Sequence, residues 1–344
     1  MPGKPTEMQC DNRVLKKLII LCCCTTLVVF IVHIDDNTEN YSTKKILQVS
    51  ETVTQYTQPT GPLWMKNMSL IMDQRRRDLE RKCEMLGLNT PGNDSLHKPN
   101  AWEFLINHEH HLVWCNVFKA ASTSWMYNFN VLAGYSPHFL QASRQVPLQL
   151  ARRKYPRPSL DHLLKALNVS TSFLIVRHPL SRLLSAYRDK IEFAIPNSYH
   201  YKLGSDIVNK YRDLNGKILQ KRPLFSEFVQ YLFDLYKNNG TFDMHWTPIT
   251  NFCTPCQIRF DIIMKVETLQ ADQNYLIQKT NLQKWIKPEW KNPSKGTVNH
   301  TRLKEQYYSQ LTKRQIQKLY HIYRYDFHLF DYSLEGYLKY GTSS

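Results

Sequence analysis

Three short apolar runs stand out along the chain: Leu112–Phe118 (LVWCNVF), Ser172–Val176 (SFLIV) and Ile262–Val266 (IIMKV). Their β-branched and aromatic content predicts buried strands. The first two change period at once. Trp125 onward has helical spacing, and Pro179 suits the first turn of a helix running toward Lys190, since its missing donor costs nothing there. Upstream, Met68, Met72, Leu79, Cys83 and Leu86 approximate one face of a helix across Lys66–Leu86. Strands that feed helices in this way predict an α/β fold.

One apolar segment has a different use. Leu18–Ile34 carries no charge, and as a helix it spans roughly 26 Å, enough for a thin internal membrane. Arg13, Lys16 and Lys17 precede it, whereas Asp35, Asp36 and Glu39 follow. This asymmetry predicts a cytosolic amino end and a lumenal body. The alternative, a cleaved signal peptide, lacks a small-x-small cleavage site. The expected organisation is a cytoplasmic tail (1–17), a signal anchor (18–34), a polar lumenal stem (35–100) and a catalytic domain (101–344).

Sequons and cysteines agree with that topology. Asn40, Asn67, Asn93, Asn168, Asn239 and Asn299 each open an N-x-Ser/Thr sequon. Cys10 falls in the cytosolic tail and Cys22, Cys23 and Cys24 in the anchor. Cys83, Cys115, Cys253 and Cys256 remain for an oxidising lumen; they suit two disulfides, with three pairings open. Cys253-Thr-Pro-Cys256 has no second half-site to complete a zinc tetrad, so disulfides are preferred.

Charge narrows the partners. The 344 residues carry a formal net charge of +16, which predicts an anionic partner: nucleic acid, phospholipid, nucleotide or acidic polysaccharide. The Arg75-Arg76-Arg77 run reads as a solvated helix face. More informative is Lys119-Ala-Ala-Ser-Thr-Ser124, which joins a strand to a helix. Small residues there let backbone amides approach a phosphate, and the helix start adds a favourable field. The glycines of a Walker loop are missing, which argues against an ordinary ATPase. The second strand ends in Arg177, with Ser185 about two turns into the next helix. A guanidinium and a hydroxyl converging on one point make a phosphate clamp.

Together, Phe118-Lys-Ala-Ala-Ser-Thr-Ser-Trp125 and Arg177-His-Pro…Arg182-Leu-Leu-Ser185-Ala-Tyr-Arg188 resemble the two nucleotide-binding signatures of Golgi carbohydrate sulfotransferases. A third block, His245-Trp-Thr-Pro248, Cys253-Thr-Pro-Cys256 and Phe260-Asp…Lys265-Val-Glu267, is similar to the branch of chondroitin and dermatan 4-O-sulfotransferases. The resemblance covers roughly 101–332. Phe118 departs from it, because that branch usually has proline before the lysine.

The resemblance implies a P-loop-like sulfotransferase domain with a central parallel sheet flanked by helices, anchored in the Golgi membrane by the single amino-terminal helix. It implies 3′-phosphoadenosine 5′-phosphosulfate as donor, no metal, and a glycosaminoglycan or other glycan as acceptor rather than nucleic acid. Lys119 and the loop Ala120, Ala121, Ser122, Thr123 and Ser124 would hold the 5′-phosphate and bridging oxygen. Arg177 and Ser185 would grip the 3′-phosphate. His245 is the first candidate for the base that deprotonates the acceptor and Glu267 the second. The 4-position of N-acetylgalactosamine in chondroitin or dermatan is the expected target. Sulfation of another sugar or position, a phosphate-binding kinase-like enzyme and a non-catalytic glycan-binding protein are the competing readings. The kinase reading needs signatures and a metal-binding carboxylate that the chain lacks; the last needs a lost donor clamp.

Overall fold

A computed structural model describes residues 61–212, 221–288 and 300–343. The apolar segment 18–34, Asn40 and Asn299 lie outside the described residues. Among the described residues no helix is long and apolar enough to cross a membrane.

Helix α1 (Pro62–Met85) starts on a proline and buries Met68, Met72, Leu79 and Cys83, the face that the spacing predicts. It lies within the segment read as stem, yet it packs on the body, and Cys83 is bonded to Cys256. Arg75 leaves the solvated face expected of it: Nη1 donates to Asp272 at 2.6 Å and to the Ile263 carbonyl at 2.9 Å.

The sheet comprises β1 (Phe104–Asn107), β2 (Leu112–Cys115), β3 (Thr171–Val176) and β4 (Ile262–Lys265), in that spatial order. The pairs β2–β3 and β3–β4 are parallel. β1 runs antiparallel to β2, with Phe104 opposite Cys115, so the sheet is mixed and not parallel as expected. The cause is the short link at 108–111, where His111 takes φ 50°. A tight turn doubles the chain back, whereas a parallel pair needs a long crossover. β2 also ends earlier than its apolar run, at Cys115. The Val117 amide turns back to the Cys115 carbonyl, and the ladder stops.

Between β2 and β3 stand α2 (Ser122–Leu132), α3 (Pro137–Ala142), α4 (Pro147–Lys154) and α5 (Leu160–Leu167). After β3 come α6 (Pro179–Tyr187), a π-helical turn at Arg188–Glu192, α7 (Tyr199–Tyr211), α8 (Phe225–Lys237) and α9 (Ile249–Cys253). A 3₁₀ turn (Val266–Thr268) and α10 (Leu269–Lys279) follow β4; α11 (His300–Tyr308), α12 (Lys313–Leu329) and α13 (Glu335–Leu338) complete the described chain.

These elements bury two apolar cores. One surrounds the sheet and includes Trp114, Trp125 and Phe173. The other is helical and aromatic, built on α6, α8, α11 and α12 around Tyr187, Phe228, Trp246 and Tyr308. A buried hydroxyl without a partner is costly, and the tyrosines of the second core meet that demand on backbone. Tyr187 donates to the Pro223 carbonyl (2.7 Å), Tyr308 to Leu180 (2.8 Å) and Tyr323 to Trp246 (2.7 Å). Strand β3 belongs to the first core and α6 to the second.

Candidate active site

The chain leaves β2 through a strained turn. Lys119 has φ 67° and Ala121 φ 55°, left-handed values that side-chain-bearing residues rarely adopt. Ala120 is buried, and Trp125 is buried against Phe173 with ring centroids 4.7 Å apart, so packing pins both ends of the turn. Helix α2 then starts at Ser122 without a side-chain cap. The Ser124 amide donates to the Ala121 carbonyl at 3.1 Å, but the Ser122 and Thr123 amides have no intrahelical acceptor and remain available to an anion. Lys119 Nζ rests 3.0 Å from Asp189 on the π-helical turn. Burial pushes its pKa down, Asp189 opposes that shift, and Lys190 and Arg177 reinforce it.

The chain leaves β3 through a relaxed turn. His178 caps α6 by accepting from the Leu180 amide, and Pro179 takes the first turn. Arg177 Nη1 donates to the Lys119 carbonyl at 3.0 Å, which couples the second turn to the first. Burial lowers the Arg177 pKa, with Glu267 opposing. No carboxylate among the described residues lies within ion-pair distance of Arg177. Arg182 is a structural tie: almost fully buried, it donates to the Phe118 carbonyl (2.9 Å) and the Thr247 carbonyl (2.8 Å).

The two turns open on one cavity of about 310 Å³, lined by Lys119, Arg177, Ser185, Arg188, Asp189 and Lys304 among others. Four cations thus face one carboxylate. Lys304, from α11, has a pKa lowered by burial and then by Arg177, and it too lacks an ion-pair partner among the described residues. Two half-buried cations that repel each other across a cavity form a site suited to a polyanion. The Ser185 hydroxyl lines it without an internal hydrogen-bond partner among the described residues.

His245 sits beside the first turn, its ring 4.8 Å from that of Phe118. Asp243 accepts from the His245 amide at 2.8 Å and lies 2.6 Å from its Nδ1. The other Asp243 oxygen lies 3.1 Å from Nε2 of His200 on α7. Burial alone would raise the Asp243 pKa, but the hydrogen bonds from His200 and His245 outweigh it and hold the carboxyl ionised. Burial also pushes His245 below the usual imidazole range, against the pull of Asp243. The network assigns the His245 proton to Nδ1 and leaves Nε2 with a free lone pair. An imidazole oriented by a carboxylate in this way is suited to take a proton.

Sequence reasoning brought Lys119, the 120–124 loop, Arg177, Ser185 and His245 forward, and the first four line or flank one cavity. It missed Asp243, His200 and Lys304. Of these only Asp243 had a local signal, a carboxylate two residues before the histidine. Glu267, the second base candidate, is engaged elsewhere: it accepts from the His178 amide (3.0 Å) and the Tyr332 hydroxyl (2.9 Å). The cysteines pair as Cys83–Cys256 and Cys115–Cys253, so Cys253 and Cys256 reach different elements and not each other. Asn67, Asn93, Asn168 and Asn239 are all exposed.

Residues 102–333 match the sulfotransferase family. Carbohydrate sulfotransferase 11 of Mus musculus is 28% identical over 289 residues, which cover 80% of each chain. Carbohydrate sulfotransferase 9 of Homo sapiens is 32% identical over 239 residues, 66% of this chain and 52% of its own. Carbohydrate sulfotransferase 14 of Danio rerio is 30% identical over 245 residues, 67% of this chain and 62% of its own. No solved structure matches the chain.

Proposed function

The chain belongs to the sulfotransferase family, and from that premise we propose that it moves a sulfuryl group from 3′-phosphoadenosine 5′-phosphosulfate to a glycan hydroxyl. The favoured target is the 4-position of N-acetylgalactosamine in chondroitin or dermatan. The observation that carries the reading is the cavity in which Arg177 and Lys304 face each other, neither with an ion-pair partner among the described residues, next to Lys119. A donor with phosphates at two positions neutralises those charges.

Arg177 and Ser185 hold the 3′-phosphate. Lys119, released from Asp189, meets the oxygen that bridges sulfur and the 5′-phosphate, together with the loop 120–124, whose Ser122 and Thr123 amides are unclaimed. The acceptor oxygen attacks sulfur, the bond from sulfur to the bridging oxygen breaks, and Nε2 of His245 takes the hydroxyl proton. The products are a sulfated sugar and 3′-phosphoadenosine 5′-phosphate. Charge grows on the bridging oxygen only as that bond lengthens, so Lys119 stabilises the transition state more than the bound donor. The net charge of +16 draws in a polyanionic acceptor.

A lumenal, Golgi-membrane placement through the 18–34 anchor rests on the flanking charges, two disulfides and exposed sequon asparagines. Radiolabelled donor offered to a panel of desulfated glycosaminoglycans and N-glycans, followed by disaccharide analysis, tests the reading. Label in 4-sulfated N-acetylgalactosamine is expected. Label confined to another sugar or position would replace the acceptor and leave the donor chemistry in place.

A further inference from the structure

We propose that His200, Asp243 and His245 form a binding site for a zinc-class divalent ion, and that the ion silences transfer by capturing His245. The second half rests on the reading of His245 as the base. The three side chains each offer one ligand atom, and these atoms lie within 4.8 Å of one another. Bonds of about 2.0–2.2 Å to a tetrahedral ion require ligand atoms only about 3.3–3.5 Å apart, so small ring rotations close the set. Two imidazoles and one carboxylate suit zinc; magnesium and calcium prefer all-oxygen shells.

The site is held but accessible. The side chains of His200, Asp243 and His245 are 17%, 16% and 12% exposed. The Asp243 carbonyl accepts from the amides of Trp246 and Thr247, and the Trp246 carbonyl accepts from buried Tyr323. Ser198 caps the start of α7, two residues before His200. A backbone fixed on both sides presents the ligands without first having to order them.

The chemical consequence follows from proton placement. Without metal, His245 keeps its single proton on Nδ1, facing Asp243, and Nε2 is the acceptor. A zinc ion that binds Nδ1 uses that lone pair, so the proton moves to Nε2. The ring stays neutral, no proton is lost, and Nε2 becomes a donor that cannot accept the acceptor hydroxyl's proton. Metal binding and base function therefore exclude each other.

The test titrates zinc into the purified full chain against a chromogenic chelator and measures sulfuryl transfer in the same samples. One zinc per chain is expected, with inhibition that follows occupancy, reverses with chelator and is not reproduced by magnesium. His200→Gln keeps an N–H donor for Asp243 but removes a zinc ligand. It should raise both the zinc dissociation constant and the half-inhibiting concentration about 10–100-fold, whatever its own metal-free rate. Absence of stoichiometric binding, or binding insensitive to His200→Gln, would overturn the site. Binding that depends on His200 but leaves transfer unchanged would overturn the silencing. His245→Ala assayed without metal tests the base reading separately, because a normal rate there removes the base but not the metal site.

Discussion

The two strand exits solve one problem by opposite means. The exit from β2 holds Lys119 and Ala121 in left-handed conformations and starts its helix uncapped. The exit from β3 has ordinary dihedrals, a capping histidine and proline in the first turn. In the proposed reaction the first turn therefore offers the Ser122 and Thr123 amides and a lysine held by a single carboxylate to an oxygen whose charge changes. The second offers a half-buried guanidinium just before a capped helix and a hydroxyl about two turns into it, suited in the proposed reaction to a phosphate whose charge does not change. On the proposed reading, strain is kept where bonds break, and regular structure where the donor is merely held.

That division predicts different kinetic signatures. Lys119→Ala should give the largest effect, about 10²–10³ in kcat, with a smaller change in donor affinity. Lys119→Arg should recover only part of the rate, because a planar fork replaces a compact ammonium in a tight turn. A normal kcat with only a raised donor KM would erase the distinction between the two turns. Arg177→Ala should come next, weakening donor binding by about 1.5–3 kcal/mol, or roughly ten- to a hundredfold, in a calorimetric titration. Ser185→Ala removes one hydroxyl donor to the charged phosphate but no charge, so it should cost less, about 1.5 kcal/mol in the same titration.

The smallest effects are in stability, and they should differ in sign. Ala121→Gly relieves a left-handed alanine, and denaturant unfolding should show a gain of up to about 1 kcal/mol. Ala186→Gly, in the relaxed and buried part of α6, should lose about 1 kcal/mol or more. Equal losses at both sites would mean that the first turn is not strained.

Legibility along the chain followed the range of the forces involved. Apolar runs located β2, β3 and β4, because burial is written locally in residue type. The apolar runs overshoot the end of β2 by three residues and that of β4 by one, since a backbone turn at Val117 and a 3₁₀ turn at Val266 compete with apolar content. The antiparallel β1 went unread: its direction depends on a four-residue turn, not on its own sequence. Lys119, Arg177 and Ser185 were legible because each sits at a fixed distance from a strand end. Lys304 was not, because α11 reaches the cavity only through tertiary packing. The Asp243–His200 pairing spans 43 residues and carries no periodic trace. The exposed reading of Arg75 failed for a similar reason, as its carboxylate partner is 197 residues away.

On the proposed reading, the β3 exit recognises a 3′-phosphate while the β2 exit serves the 5′ side of the same donor. The most direct measurement compares calorimetric binding of 3′-phosphoadenosine 5′-phosphate and adenosine 5′-phosphate to the wild type and to Arg177→Ala. The wild type should prefer the bisphosphate by roughly ten- to a hundredfold, and Arg177→Ala should lose that preference while its affinity for the monophosphate stays within about twofold, a difference of less than about 0.5 kcal/mol. An undiminished preference in the variant, or equal losses for both nucleotides, would contradict this division of the donor and confine Arg177 to bracing the Lys119 carbonyl.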